Sequence, residues 1–127
     1  MESGKLNKMS ESIVKDKSFK FAIKIINLYK YLKTDMNEFV LSKQVLRCGT
    51  SIGANVNEAL QGQSKKDFLM KMNISLKECS ETKYWLELLK ATSFIGDNTM
   101  NDLYNDCTEL EKILTKIVKT TSNNIKN

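Results

Sequence analysis

The stretch QVLRCGTSIGANVNEAL, residues 44–60, decides how the chain folds. Together with Leu41 just before it, apolar residues recur at Leu41, Val45, Cys48, Ile52, Val56 and Ala59, in steps of four, three, four, four and three. That spacing is one face of an α-helix. A polar row runs beside it: Gln44, Arg47, Ser51, Asn55 and Glu58. Gly49 and Gly53 stand four apart in the same stretch. Glycine inside a helix costs roughly 1 kcal/mol relative to alanine, so two of them are a poor choice for a helix that has only to exist. Contact is a physical reason to keep them, because a residue without Cβ lets a neighbouring helix approach closely. A bend in the helix is the other reading.

Outward from this stretch, the same periodicity repeats. From about Val14 to Lys33 the apolar positions Phe21, Ile25, Leu28 and Leu32 are widened by Ala22, Ile26 and Tyr29 into a broad core-facing stripe. Thr34 to Asn37 is turn-like, and Asp35 with Glu38 is spaced to cap a second helix from about Glu38 to Gln61, with Gly62 at its stop. Ser64-Lys65-Lys66-Asp67 has the spacing of a capping box and opens the third helix, expected to be the longest and to reach about Phe94, with Gly96 ending it. Phe68, Met72, Cys79, Leu86 and Leu89 form its face. Thr99 to Asp102 is a further possible cap. Beyond it, Met100, Leu103, Cys107, Leu110, Leu114 and Ile117 alternate strictly by three and four, the seam of bundle helices. In this fourth helix the acids Asp102 and Asp106 come early and Lys112, Lys116 and Lys119 come late, as the helix dipole prefers. The expectation is a single all-α domain: an antiparallel up-down-up-down four-helix bundle over residues 13–120, with loose tails at 1–12 and 121–127.

Composition agrees. The chain has 127 residues, enough for one real core, and 41% hydrophobic content, too much for disorder. Proline is absent, so nothing forces a helix to break. No apolar run is long enough to cross a bilayer and the polar start has no secretory pattern, which points to a cytoplasmic protein. Histidine is absent, removing the commonest general base and metal ligand. The cysteines Cys48, Cys79 and Cys107 lie on apolar stripes without a C-x-x-C, and read as buried thiols rather than a zinc site. No catalytic, metal or cofactor residues are expected.

Charge is the remaining signal. The net charge is +5. Residues 1–34 carry eight lysines against three acids, and residues 63–96 six against four. Lys17, Lys20 and Lys24 share a face of the first helix, while Lys65, Lys66 and Lys71 stand at the start of the third. Such clusters attract phosphate backbones without regard to base sequence, and no base-reading motif accompanies them. Tyr29, Tyr31, Tyr84, Trp85 and Tyr104 are candidates for stacking on bases, with core packing as the plainer reading. For Trp85 a subunit interface is a further reading. The polar row Gln44, Arg47, Asn55 and Glu58 is placed to face Glu78 and Glu81 on the third helix. Arginine between carboxylates fixes register. A carboxylate pocket for acid–base chemistry would need a cavity and shifted pKa values.

SFKFAIKIINLYKYL (18–32), LSKQVLRCGTSIGANVNEA (41–59) and SKKDFLMKMNISLKECSETKYWLELL (64–89) resemble the "four helix bundle protein" family, which includes proteins encoded in intervening sequences of bacterial 23S rRNA genes, once labelled S23. GTSIGAN, the nearby Glu58 and the later ETKYWL carry the likeness, which spans roughly residues 15 to 119. Many relatives have proline where Gly53 stands, in a SIPAN version of the motif, which favours a bend there. The resemblance implies a left-handed bundle assembled as a homo-oligomer, a pentamer in members of known structure. A related pentameric accessory protein of diversity-generating retroelements binds nucleic acid and a reverse transcriptase through basic surface. No catalytic residue is established for the family. The resulting expectation is a non-enzymatic oligomer that binds RNA or DNA, with a pure protein-interaction scaffold as the alternative.

Overall fold

The computed structural model describes residues 2–126, with side chains described for residues 8–125. Its elements are α1 (Glu2–Thr34), α2 (Leu41–Leu60), α3 (Lys65–Ala91) and α4 (Asp97–Lys126). Among the described residues there is no strand. α1 packs on α2 and α4, and α3 packs on α2 and α4, while among the described residues the backbones of the two diagonal pairs stay apart. The four helices thus close a square around one apolar interior.

Each seam follows from spacing. α2 buries Val45, Cys48, Ile52, Val56 and Ala59; α4 buries Leu103, Cys107, Leu110, Leu114 and Ile117. α1 buries Phe21, Ile25, Leu28 and Leu32, and adds Val14 two turns earlier. Ile26, expected to widen the stripe, is instead exposed. α3 buries Met72, Ser75, Cys79, Thr82, Leu86 and Leu89. This too is a three–four seam, but two of its six positions are hydroxyl residues, so counting apolar residues finds Met72, Cys79, Leu86 and Leu89 and misses Ser75 and Thr82. Their burial is tolerated because each finds an acceptor: Ser75 Oγ donates to the Ile52 carbonyl at 2.8 Å, and Thr82 Oγ1 to the Glu78 carbonyl at 2.7 Å. Each fully buried Leu, Ile or Phe contributes about 1.5–3 kcal/mol, so these stripes dominate the stability.

The helix ends differ from the sequence expectation. α1 begins at Glu2 and α4 runs to Lys126, so helix continues through the segments read from the sequence as loose tails. With no proline in either segment, the backbone ladder simply continues. Val14 and Thr121, both buried, anchor the two extensions. α1, at 33 residues, is therefore the longest helix, and α3, at 27, spans about 40 Å. α2 starts at Leu41, and its cap is Glu38 alone: the carboxylate accepts from the Val40, Leu41 and Ser42 amides at 3.0, 2.8 and 2.6 Å. Burial alone would raise the Glu38 pKa, but these backbone bonds outweigh it and hold the carboxyl below its ordinary range. Ser64 caps α3 by accepting from the Asp67 amide at 3.1 Å. α3 stops at Ala91, earlier than expected, and Ser93, not Gly96, takes the left-handed conformation after it (φ 68°). α4 starts at Asp97, ahead of the expected Thr99 cap.

The two glycines of α2 face α1. A Cβ on Gly49 would stand 2.8 Å from both Cγ atoms of Ile25, and one on Gly53 would stand 3.3 Å from the Ser18 carbonyl oxygen. Gly49 thus makes room for a core side chain, and Gly53 for a helix backbone.

Candidate nucleic-acid interface and polar row

The polar row divides into two pairings across the α2–α3 seam. Arg47 stands between two acids one turn apart on α3. Its guanidinium bonds Glu81 directly and lies 3.6 Å from Glu78. Gln44 Oε1 accepts from the same guanidinium at 3.5 Å, and Trp85 Nε1 donates to Glu81 at 3.3 Å. Glu78 is the strained member: its Oε2 is shut off from solvent and accepts no hydrogen bond. Burial, and next the charge of Glu81, push its pKa up, with Arg47 pulling against them. Glu58 does not join this group. It pairs with Lys71 at 2.9 Å, because it sits three turns along α2 from Arg47 and meets an earlier part of α3. Asn55 turns back to its own helix and donates to the Ser51 carbonyl at 2.8 Å.

This arrangement can hold two helices in register. A groove of about 730 Å³ between α1 and α2 is lined by Lys15, Phe19, Ala22, Thr50, Gly53 and Asn57 among others, and by none of the row's carboxylates. The three cysteines are buried and unbridged. Burial pushes Cys48 up to about 11 and Cys79 and Cys107 higher still, so none is a thiolate nucleophile at neutral pH. Among the described residues no cluster of three or more acids and cysteines is arranged to hold a metal ion.

The lysines expected to form a basic face are mostly engaged. Lys17 pairs with Glu109 at 2.7 Å, Lys20 with Asp16 at 3.0 Å, and Lys24 with both Asp102 (3.0 Å) and Asp106 (2.8 Å). Lys71 is taken by Glu58. The acids of α4's first half lie alongside α1 and neutralise the row. Of the six, Lys65 and Lys66 are exposed and have no acid partner among the described residues.

Lysines outside that face are in the same condition, among them Lys15, Lys30, Lys33, Lys43 and Lys77, and the three exposed on α4, Lys112, Lys116 and Lys119. A signal for the α4 three was present, since no acid occurs after Glu111. The aromatics do not gather into a stacking platform. Tyr104 donates to Glu87 at 3.1 Å beneath the Lys83 ammonium, Tyr29 lies under Lys33, and Trp85 is half-buried with Tyr84 edge-on beside it. Tyr31 and Tyr84 are exposed on different helices.

With this geometry in hand, comparison with other proteins adds a lineage. The profile of the 23S rRNA-intervening sequence protein family matches residues 10–116. The chain belongs to that family. The match takes in the whole polar row, both α2 glycines, all six lysines first expected to bind nucleic acid, and Lys112 and Lys116. A solved relative is a protein of unknown function from the S23 ribosomal protein family of Bacteroides thetaiotaomicron VPI-5482, whose crystal structure was determined at 1.70 Å resolution. It is 54% identical, the match covers 87% of this chain and 98% of that one, and the TM-score is 0.86. Among curated proteins, none matches the chain. No helix among the described residues of this family member is long and apolar enough to cross a membrane.

Proposed function

We propose that this protein is a non-enzymatic, self-associating helical bundle of the cytoplasm that binds RNA or DNA through its basic surface, as an accessory or scaffold. The observation that carries the reading is the set of exposed lysines left without acid partners among the described residues, on a chain of net charge +5. Membership of a family named for an rRNA intervening sequence supports a nucleic-acid setting. The proposed course is up-down-up-down and left-handed. Contact partners support the antiparallel part: Arg47 meets Glu81, Ile52 meets Ser75 and Glu58 meets Lys71, so numbers on α3 fall as those on α2 rise. The links of four to six residues and the three–four seams fit a left-handed bundle.

Self-association has its own support. α1 exposes Phe19 (64%), Ile23 (47%) and Ile26 (39%) on one flank, an apolar strip of the kind that marks protein contacts. The same strip favours a second reading, a protein-interaction scaffold with no nucleic-acid affinity, for which a reverse transcriptase is one class of partner. Titration with RNA and DNA at several salt concentrations separates the two. Affinity that falls steeply with salt is expected; no binding at low salt removes the first reading. Light scattering after size exclusion tests the assembly, and a monomer at all concentrations would contradict it.

A further inference from the structure

We propose that the nucleic-acid backbone lies along the outward face of the second half of α4, on Lys112, Lys116 and Lys119. This rests on the nucleic-acid reading above and replaces the expected α1 lysine row as its contact surface. At 100° per residue the three α4 lysines fall within about 60° of one another, so they form one stripe. The stripe is about 10 Å long, roughly three nucleotide steps at the 3.4 Å rise of one strand.

Two observations favour this face. First, residues 112–127 contain no acid, so nothing in the segment itself competes for the ammonium groups. On α1, by contrast, a phosphate would have to displace Glu109 from Lys17 and both Asp102 and Asp106 from Lys24. Second, no large apolar side chain of the stretch 110–120 is exposed. The surface offers charge, threonine hydroxyls and nothing for a base to stack on, which suits a phosphate backbone read without regard to sequence.

The test compares two triple variants that lose the same charge in different places: Lys112→Ala/Lys116→Ala/Lys119→Ala, and Lys30→Ala/Lys33→Ala/Lys43→Ala around the α1–α2 link. Circular dichroism melts establish that both fold. Each is titrated, beside the unmodified protein, with short DNA and RNA duplexes and single strands between about 50 and 200 mM salt. The α4 variant is expected to lose about 2.7 from the log–log salt slope on duplex DNA, at about 0.9 per phosphate released, while the control keeps its slope. If both variants weaken equally, or the α4 variant binds as the parent does, the α4 assignment is wrong and the nucleic-acid reading survives. If the parent fails to bind at the lowest salt, the reading and the assignment fall together.

Discussion

The α2–α3 seam and the α1–α4 seam both cross two helices with ion pairs, yet they do so at different depths. Between α2 and α3, Arg47 reaches two acids, one of them with an oxygen sealed from water, directly above buried hydroxyls of the core. Between α1 and α4, Lys17 and Lys24 and the acids they hold are open to solvent, with side chains 41% and 43% exposed on the lysine side. In the first seam a charge is positioned by the fold and contributes to it. In the second, charges cancel each other at the surface and leave the fold nearly indifferent. The difference teaches that a lysine counted in a sequence is not a lysine presented to a partner: whether it is free depends on what the neighbouring helix places at the same height.

The largest effect that would break this contrast is expected at Arg47. Its removal leaves Glu78 and Glu81 facing each other beside the core. An exposed pair is worth about 0–1 kcal/mol and the loss of one partner of a buried pair about 3–5. Arg47 is half exposed and Glu78 mostly covered, so Arg47→Ala is expected to cost about 2 kcal/mol in urea unfolding, between those limits. The pH dependence has a definite sign. Glu78 has a pKa raised by burial and by Glu81, so the fold favours its neutral form, and stability drops as pH rises through the carboxylate range. Without Arg47 the shift grows. The gap between variant and parent should therefore be widest near neutral pH and narrow in acid. A gap that is constant with pH would mean that Arg47 acts by packing alone.

The next effect sharpens the role of α2, which is pinned on its other flank by α1. At Gly49 an added Cβ meets the branched carbons of Ile25, which is fully buried and has no free end to swing away. Overpacking costs about 1–3 kcal/mol and the gain in helix propensity returns about 1. Gly49→Ala is thus expected to lose about 1 kcal/mol net. At Gly53 the contact is looser, 3.3 Å, and the two terms nearly cancel, so Gly53→Ala should lie within about 0.5 kcal/mol of the parent. Equal stability of the two variants in chemical denaturation would show that Ile25 can move aside.

Much of this architecture is legible in the chain because it depends on period. Four apolar stripes and three links can be read between Val14 and Ile117 without coordinates, most plainly from Leu41 to Ala59 and from Met100 to Ile117. The meeting of Arg47 with Glu78 and Glu81 is also readable, since acids three apart on a helix share a face. What is not legible depends on register between helices. Glu58 finds Lys71 instead of the α3 acids, and Asp102 and Asp106 find Lys24, because of how far one helix slides along another. Two positions of the α3 seam escape for a different reason: Ser75 and Thr82 are buried as polar residues with acceptors, so hydropathy marks Met72, Cys79, Leu86 and Leu89 but not them. Helix ends were misplaced where backbone partners decide them, as with the three amides held by Glu38.

The smallest expected effect tests the surface half of the comparison. Lys24 bonds Asp102 and Asp106, and those bonds, Asp106 first, hold its ammonium above the ordinary lysine range despite some burial. A raised pKa of this kind suggests a strong interaction, but the lysine is 43% exposed and Asp102 57%. Water and salt screen such a pair, and ordering a long side chain offsets part of the gain. Lys24→Ala is therefore expected to change unfolding stability by about 0.5 kcal/mol or less, and that small difference should vanish as salt is raised. A loss comparable to that of Arg47→Ala would show that the α1–α4 seam relies on its charges as much as the α2–α3 seam does. The division between positioned and merely neutralised charge would then have to be redrawn around Lys24.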